Sequence, residues 1–231
     1  MNKLSLLIFF VFFPLFALGD GWNESEYQAI EHAIEQPRIA DRSVVITKFG
    51  AKTTASAAQN QRAIQKAIAF LARQGGGKVV VPAGKWHTGA LRLSSGIELV
   101  VSKDALLQFV FERSLYPLVK TSWEGMMCWN YSPCIYSFGS DDVVVSGEGT
   151  IDGGGSNETW WPMCGKEVFG YVKGVTKEAQ VLGSRRRLQQ MAEDDVPWDE
   201  RRFGLGYGLR PPFFYLVLPL HHLLHKLLMI M

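Results

Sequence analysis

Two adjacent carboxylates, Asp141-Asp142, are the residue types that most directly suggest acid–base chemistry, since such a reaction needs one carboxylic acid and one carboxylate. Neighbours in a β-strand point to opposite faces, so the pair converges on one substrate only across a bend. Val143-Val144-Val145-Ser146-Gly147 follows at once, which favours a turn at a strand boundary. Asp152 stands at a Gly-rich corner, where its side chain is expected to bond backbone. Trp86, Trp129, Trp160 and Trp161 could stack on flat ligands, although packing is the commoner fate of tryptophan. His221 and His225, at i and i+4, could share a metal on a helix, yet no carboxylate or fourth ligand stands nearby. Cys128 and Cys134 are close enough in sequence to bridge a loop, with Cys164 left over; three small buried hydrophobes is the simpler reading. No residue therefore receives a catalytic, metal-binding or cofactor-binding role, no cofactor is expected, and substrate-binding residues stay unassigned.

The elements that would position these groups are set by the whole chain. Its 231 residues, 47% hydrophobic, suffice for a folded core, and a net charge of +2 with both signs interspersed gives no footprint for nucleic acid. Residues 1–19 read as a cleaved secretory signal: a basic start at Lys3, an apolar run over 4–16 and small residues at 17–19. That run is shorter than the roughly 20 residues a spanning helix needs, so no membrane span is expected after its removal. The product is expected outside the cytoplasm, periplasmic or extracellular.

Residues 20–42 form a helical lead-in, with Tyr27, Ile30 and Ile34 at helical spacing before Pro37. The main domain opens with a strand at 43–49. A helix over 60–73 carries Ile64, Ala67, Ile68 and Leu71 on one stripe, and Gly75-Gly76-Gly77 suits a left-handed cap at its end. Short strands punctuated by turns follow, at 78–81, 86–93, 97–101, 105–109, 135–138, 143–146 and 149–152. Such a series fits a sandwich, a barrel or a solenoid. The single amphipathic helix ahead of it favours the solenoid, whose first coil has an apolar end and unpaired backbone to cover. Residues 165–210 break the rhythm with balanced charge and read as an insertion over the stack, partly helical around 186–191.

These residues reach a family pattern. Phe49-Gly50-Ala51, the 60–68 helix, Gly75-Gly76-Gly77-Lys78-Val79-Val80-Val81-Pro82-Ala83-Gly84, and Gly147-Glu148-Gly149-Thr150-Ile151-Asp152-Gly153 with Trp160-Trp161 resemble the polygalacturonase-type glycoside hydrolases, glycoside hydrolase family 28. Arg201-Arg202-Phe203-Gly204 and Leu209-Arg210-Pro211-Pro212-Phe213 look like the segment by which bacterial members re-enter the stack. The resemblance covers 43–213. It implies an all-β, right-handed parallel β-helix of the pectin-lyase type, here its N-terminal coils (43–164) with a capping helix. For full-length members it implies a monomer that hydrolyses pectic polysaccharide, galacturonan or rhamnogalacturonan, with inversion.

Inversion needs two carboxyl groups spaced to admit a water. The family supplies them from an Asn-Thr-Asp motif and an Asp-Asp pair, followed by Gly-His-Gly and Arg-Ile-Lys. No Asn-Thr-Asp, Gly-His-Gly or Arg-Ile-Lys occurs in this chain, and Asp141-Asp142 precedes the wrong strand. Residues 211–231 read as an aberrant hydrophobic tail, the mark of a truncation or shifted frame near Phe213. The chain is thus expected to be inactive alone, poorly soluble and marginally folded. Two other readings stand beside it: a non-catalytic carbohydrate-binding β-helix, and a calcium-dependent pectate lyase.

Overall fold

The computed structural model describes residues 23–33, 36–173, 181–204 and 209–217. The expected signal, Ile34, His221, His225 and the rest of the tail from 218 onward lie outside the described residues. Residues 1–36 and 37–231 form two compact units, the second starting ahead of the boundary expected at Ser43. In the first unit, α1 (Glu24–Ala33) leaves Tyr27 and Ile30 exposed.

In the second unit, α2 (Ala57–Ala72) begins earlier than the expected start at 60, because Ser56 and Gln59 form a capping box. Ser56 Oγ accepts the Gln59 N–H, and Gln59 Oε1 accepts the Ser56 N–H at 3.0 Å. The expected stripe is buried: Ile64, Ala67, Ile68 and Leu71 are at most 1% exposed. Burying the three large aliphatics contributes at most about 5 to 8 kcal/mol. Gly75 and Gly76 take positive φ, and the Gly76 N–H closes on the Leu71 carbonyl at 2.9 Å, the left-handed cap foreseen for this run.

Strands then pass through three parallel sheets. β1 (Ser43–Val45), β2 (Gly77–Val81), β5 (Ile97–Val101) and β10 (Val144–Ser146) make the first sheet. β3 (Gly84–Thr88), β6 (Ala105–Phe109) and β11 (Thr150–Asp152) make the second; β4 (Leu91–Arg92), β9 (Ile135–Phe138) and β12 (Phe214–Val217) make the third. From β2 onward each pass of the chain adds one strand to every sheet, whereas β1 adds to the first sheet alone. Register is kept from pass to pass: Val79, Leu99 and Val145 align, as do Trp86, Leu107 and Ile151, and Leu91, Ile135 and Phe214. Alternate residues point inward, so Val79, Leu99, Leu107, Leu91 and Ile135 share one core.

Several elements differ from expectation. The strand expected over 43–49 gives way after Val45 to a 3-10 turn, Ile46–Phe49, closed by Gly50 at φ 96°. The strand expected over 86–93 is two strands, since the chain turns at Gly89-Ala90 from the second sheet to the third. An antiparallel hairpin, β7 (Leu118–Trp123) and β8 (Met126–Tyr131), has no counterpart among the expected strands. β12 falls within the expected tail, yet it pairs in parallel with all of β9. The 165–210 insertion does contain a helix, α3 (Val181–Glu193), longer than expected. Its Leu188 joins Cys128, Phe203 and Leu209 in a second small core.

Both the hairpin and the α3 segment leave the chain between a second-sheet strand and a third-sheet strand. Along the chain the added structure thus falls between the second and third sheets.

Candidate functional site

A cleft of about 380 Å³ opens where the β11 corner meets the chain entering β12. Trp123, Trp160, Trp161 and Phe213 supply aromatic walls, Gly153, Gly155 and Cys134 lie between them, and Arg210 is the cation. Gly155 lets the Trp161 ring lie close: a Cβ would come within 2.7 Å of Trp161 Nε1, and the ring would have to shift. Trp160 is held by edge-on contacts with Phe111 and Tyr116, at 4.6 and 5.3 Å between centroids. Trp161 is 44% exposed and meets Phe169 edge-on.

The chemistry of this lining is that of binding. An arginine and aromatic faces suit an anionic ring-shaped ligand. Among the described residues lining the cleft none is a carboxylate. Nor does Cys134 offer a nucleophile, since burial pushes its thiol up to about 12.

The carboxylates singled out in the sequence lie elsewhere. Asp142 takes φ 53° and its Oδ1 accepts the Arg38 N–H at 2.9 Å. The Asp141 N–H donates to Ser95 Oγ, and its carbonyl accepts the Gly96 N–H at 3.0 Å. The pair thus stitches a turn of the first sheet, as expected. Just past the end of α3, Asp194 accepts from Gln190 Nε2 at 2.9 Å.

Asp152 Oδ1 accepts the Gly154 N–H at 2.8 Å, the backbone bond foreseen for it. Its other oxygen accepts from Gln108 Nε2 at 2.6 Å, and Gln108 Oε1 meets His87 Nε2 at 3.1 Å. His87, Gln108 and Asp152 occupy successive passes in one register, so they form a polar ladder up the second sheet. Sequence reasoning missed it, because the ladder depends on strand alignment across 21 and 44 residues.

The other tryptophans divide. Trp86 is buried with its Nε1–H donating to the Pro82 carbonyl at 2.7 Å, a packing role. Trp129 stacks on Trp198 at 6.2 Å beneath Arg202. All three cysteines are free, Cys128 and Cys134 in different cores.

No protein-family model matches the chain. A probable polygalacturonase of Vitis vinifera is 33% identical over 111 residues, 44% of this chain and 22% of that protein. The crystal structure of a hyperthermoactive exopolygalacturonase from Thermotoga maritima is 36% identical, with a TM-score of 0.73. That match covers 80% of this chain and 40% of the Thermotoga chain. A family 28 exopolygalacturonase from Yersinia enterocolitica aligns over 49% of this chain and 21% of its own, at 26% identity and a TM-score of 0.42. The chain thus spans less than half the length of each of these relatives. Over that part it is similar to polygalacturonase-type glycoside hydrolases, as its sequence motifs imply.

Proposed function

We propose that this chain is an N-terminal portion of an exported polygalacturonase-like glycoside hydrolase acting on pectic polysaccharide, folded as a right-handed parallel β-helix and inactive on its own. The likeness to the Thermotoga exopolygalacturonase, 36% identical across 80% of the chain, carries the reading. Three in-register parallel sheets under one capping helix support the fold. The lack of any Asn-Thr-Asp, Gly-His-Gly or Arg-Ile-Lys motif in the sequence supports the inactivity. Incubation of the full chain with polygalacturonate tests it. Binding without release of reducing ends is expected; neither binding nor release would refute the pectic reading. Release of reducing ends by the chain alone would refute its inactivity.

The same cleft favours a second reading, a non-catalytic carbohydrate-binding protein. The two separate on complementation: restored hydrolysis upon adding the C-terminal coils of a close polygalacturonase supports the hydrolase, and binding unaffected by them supports the binding module. An unsaturated product absorbing in the ultraviolet would instead mark a lyase.

A further inference from the structure

We infer that Asn157 is the attachment site of an N-linked glycan and that Asn130, in the same sequence motif, is not; this rests on the export proposed above.

An asparagine two residues ahead of a serine or threonine, with no proline between, is the acceptor pattern for N-glycosylation in exported chains. Three such triplets occur: Asn23-Glu24-Ser25, Asn130-Tyr131-Ser132 and Asn157-Glu158-Thr159. The fold separates the last two. Asn130 lies in β8, fully buried, with its Nδ2 donating to the Leu209 carbonyl at 3.1 Å. A sugar on that nitrogen would have to displace Leu209, itself fully buried, from a packed core.

Asn157 is placed the other way. It is exposed in the turn after β11, and no described residue bonds its carboxamide. The turn holds itself without that side chain. Thr159 Oγ1 donates to the Gly154 carbonyl at 2.6 Å and accepts the Ser156 N–H at 2.8 Å, and the Trp161 N–H closes on the Ser156 carbonyl at 3.1 Å. Attachment at Asn157 therefore breaks no bond of the fold.

The surroundings of the turn fit a glycan as well. A Cβ on Gly170 would collide with the Asn157 carbonyl oxygen, so the turn abuts the 3-10 turn Glu167–Phe169. Val168 and Phe169, 73% and 39% exposed, form an apolar patch there with Trp161. A sugar stem rooted at Asn157 covers apolar surface that the chain otherwise leaves open to water.

In the transfer, Asn157 Nδ2 bonds the anomeric carbon of an oligosaccharide carried on a lipid pyrophosphate. The anomeric carbon–oxygen bond breaks, the lipid pyrophosphate leaves, and one amide proton passes to the transferase.

Secretion of the full chain from a eukaryotic host, in an Asn23→Gln background that removes the first triplet from the count, tests this. Enzymatic release of glycans in heavy-oxygen water marks each occupied asparagine for mass spectrometry. A glycan at Asn157 and none at Asn130 is expected. Asn157→Gln should lower the mass of the secreted chain by one glycan and leave its circular dichroism spectrum unchanged. A secreted chain bare at Asn157, or one folded with a glycan on Asn130, overturns the inference and leaves the export reading standing. Retention of the chain in the cytosol, bare at both positions, overturns the export reading and the inference with it.

Discussion

The Gln65 carboxamide holds the backbone of Arg92 at both ends: Nε2 donates to the Arg92 carbonyl at 2.9 Å and Oε1 accepts the Arg92 N–H at 2.8 Å. A helix side chain thereby completes the ladder of an edge strand, β4. Gln61 does the same beside it, its Nε2 donating to the carbonyls of Ala90 and Leu115 at 2.7 and 2.8 Å. Covering a first coil requires apolar area and also partners for its exposed backbone. α2 supplies both.

Gln65→Ala should therefore cost about 1 to 2 kcal/mol, more than a helix-surface substitution with alanine, which favours helix. Urea unfolding would measure it, with Lys66→Ala as the neighbouring control.

The polar ladder should respond in the same assay. Asp152→Ala removes both the Gln108 bond and the Gly154 bond and is expected to cost about 2 to 3 kcal/mol. Gln108→Ala strands one carboxylate oxygen and the His87 ring nitrogen, both partly solvated, and should cost about 1 kcal/mol.

Gly147 takes φ 106°, and a Cβ there would collide with the Val101 carbonyl oxygen in the pass beneath. Gly147→Ala is expected to cost about 2 to 4 kcal/mol. Gly50, at φ 96° with open space around it, isolates the backbone part, and Gly50→Ala should cost about 1 to 2 kcal/mol. Thermal melts of the two variants would separate crowding from conformation.

Burial raises the Cys128 thiol from 9.0 to about 11 and the Cys134 thiol from 9.0 to about 12. In each case the unfolded chain loses its thiol proton first. Stability from both groups is therefore fully present below pH 9, falls as pH rises past it, and is gone above about 11 to 12. At pH 8 a maleimide should label Cys164, the one thiol that is not buried, and reach the other two only in denaturant. Rapid labelling of all three in the native protein would contradict the two-core packing.

Much of this was legible in the sequence where the cause is local. The Ile64 to Leu71 stripe, the Gly75-Gly76 cap and the Asp141-Asp142 turn each follow from residues within a few positions of one another. The Ser56 to Gln59 capping box was equally local and marks the true helix start. What stayed hidden depends on register between distant passes: the Gln65 to Arg92 clasp, the His87 to Asp152 ladder and the Tyr136 to Tyr215 stack. The hairpin was obscured because β7 and β8 lack clean alternation, their buried residues including Thr121, Cys128 and Asn130. β12 was obscured by an almost wholly apolar run from Phe213, which does not alternate as a half-buried strand would.

Nuclear Overhauser contacts around the Leu99 amide test the stacked arrangement most directly. In-register parallel contacts to Val79 on one side and Val145 on the other are expected. Antiparallel contacts, or Leu99 paired with a strand next to it in sequence, would contradict the stack.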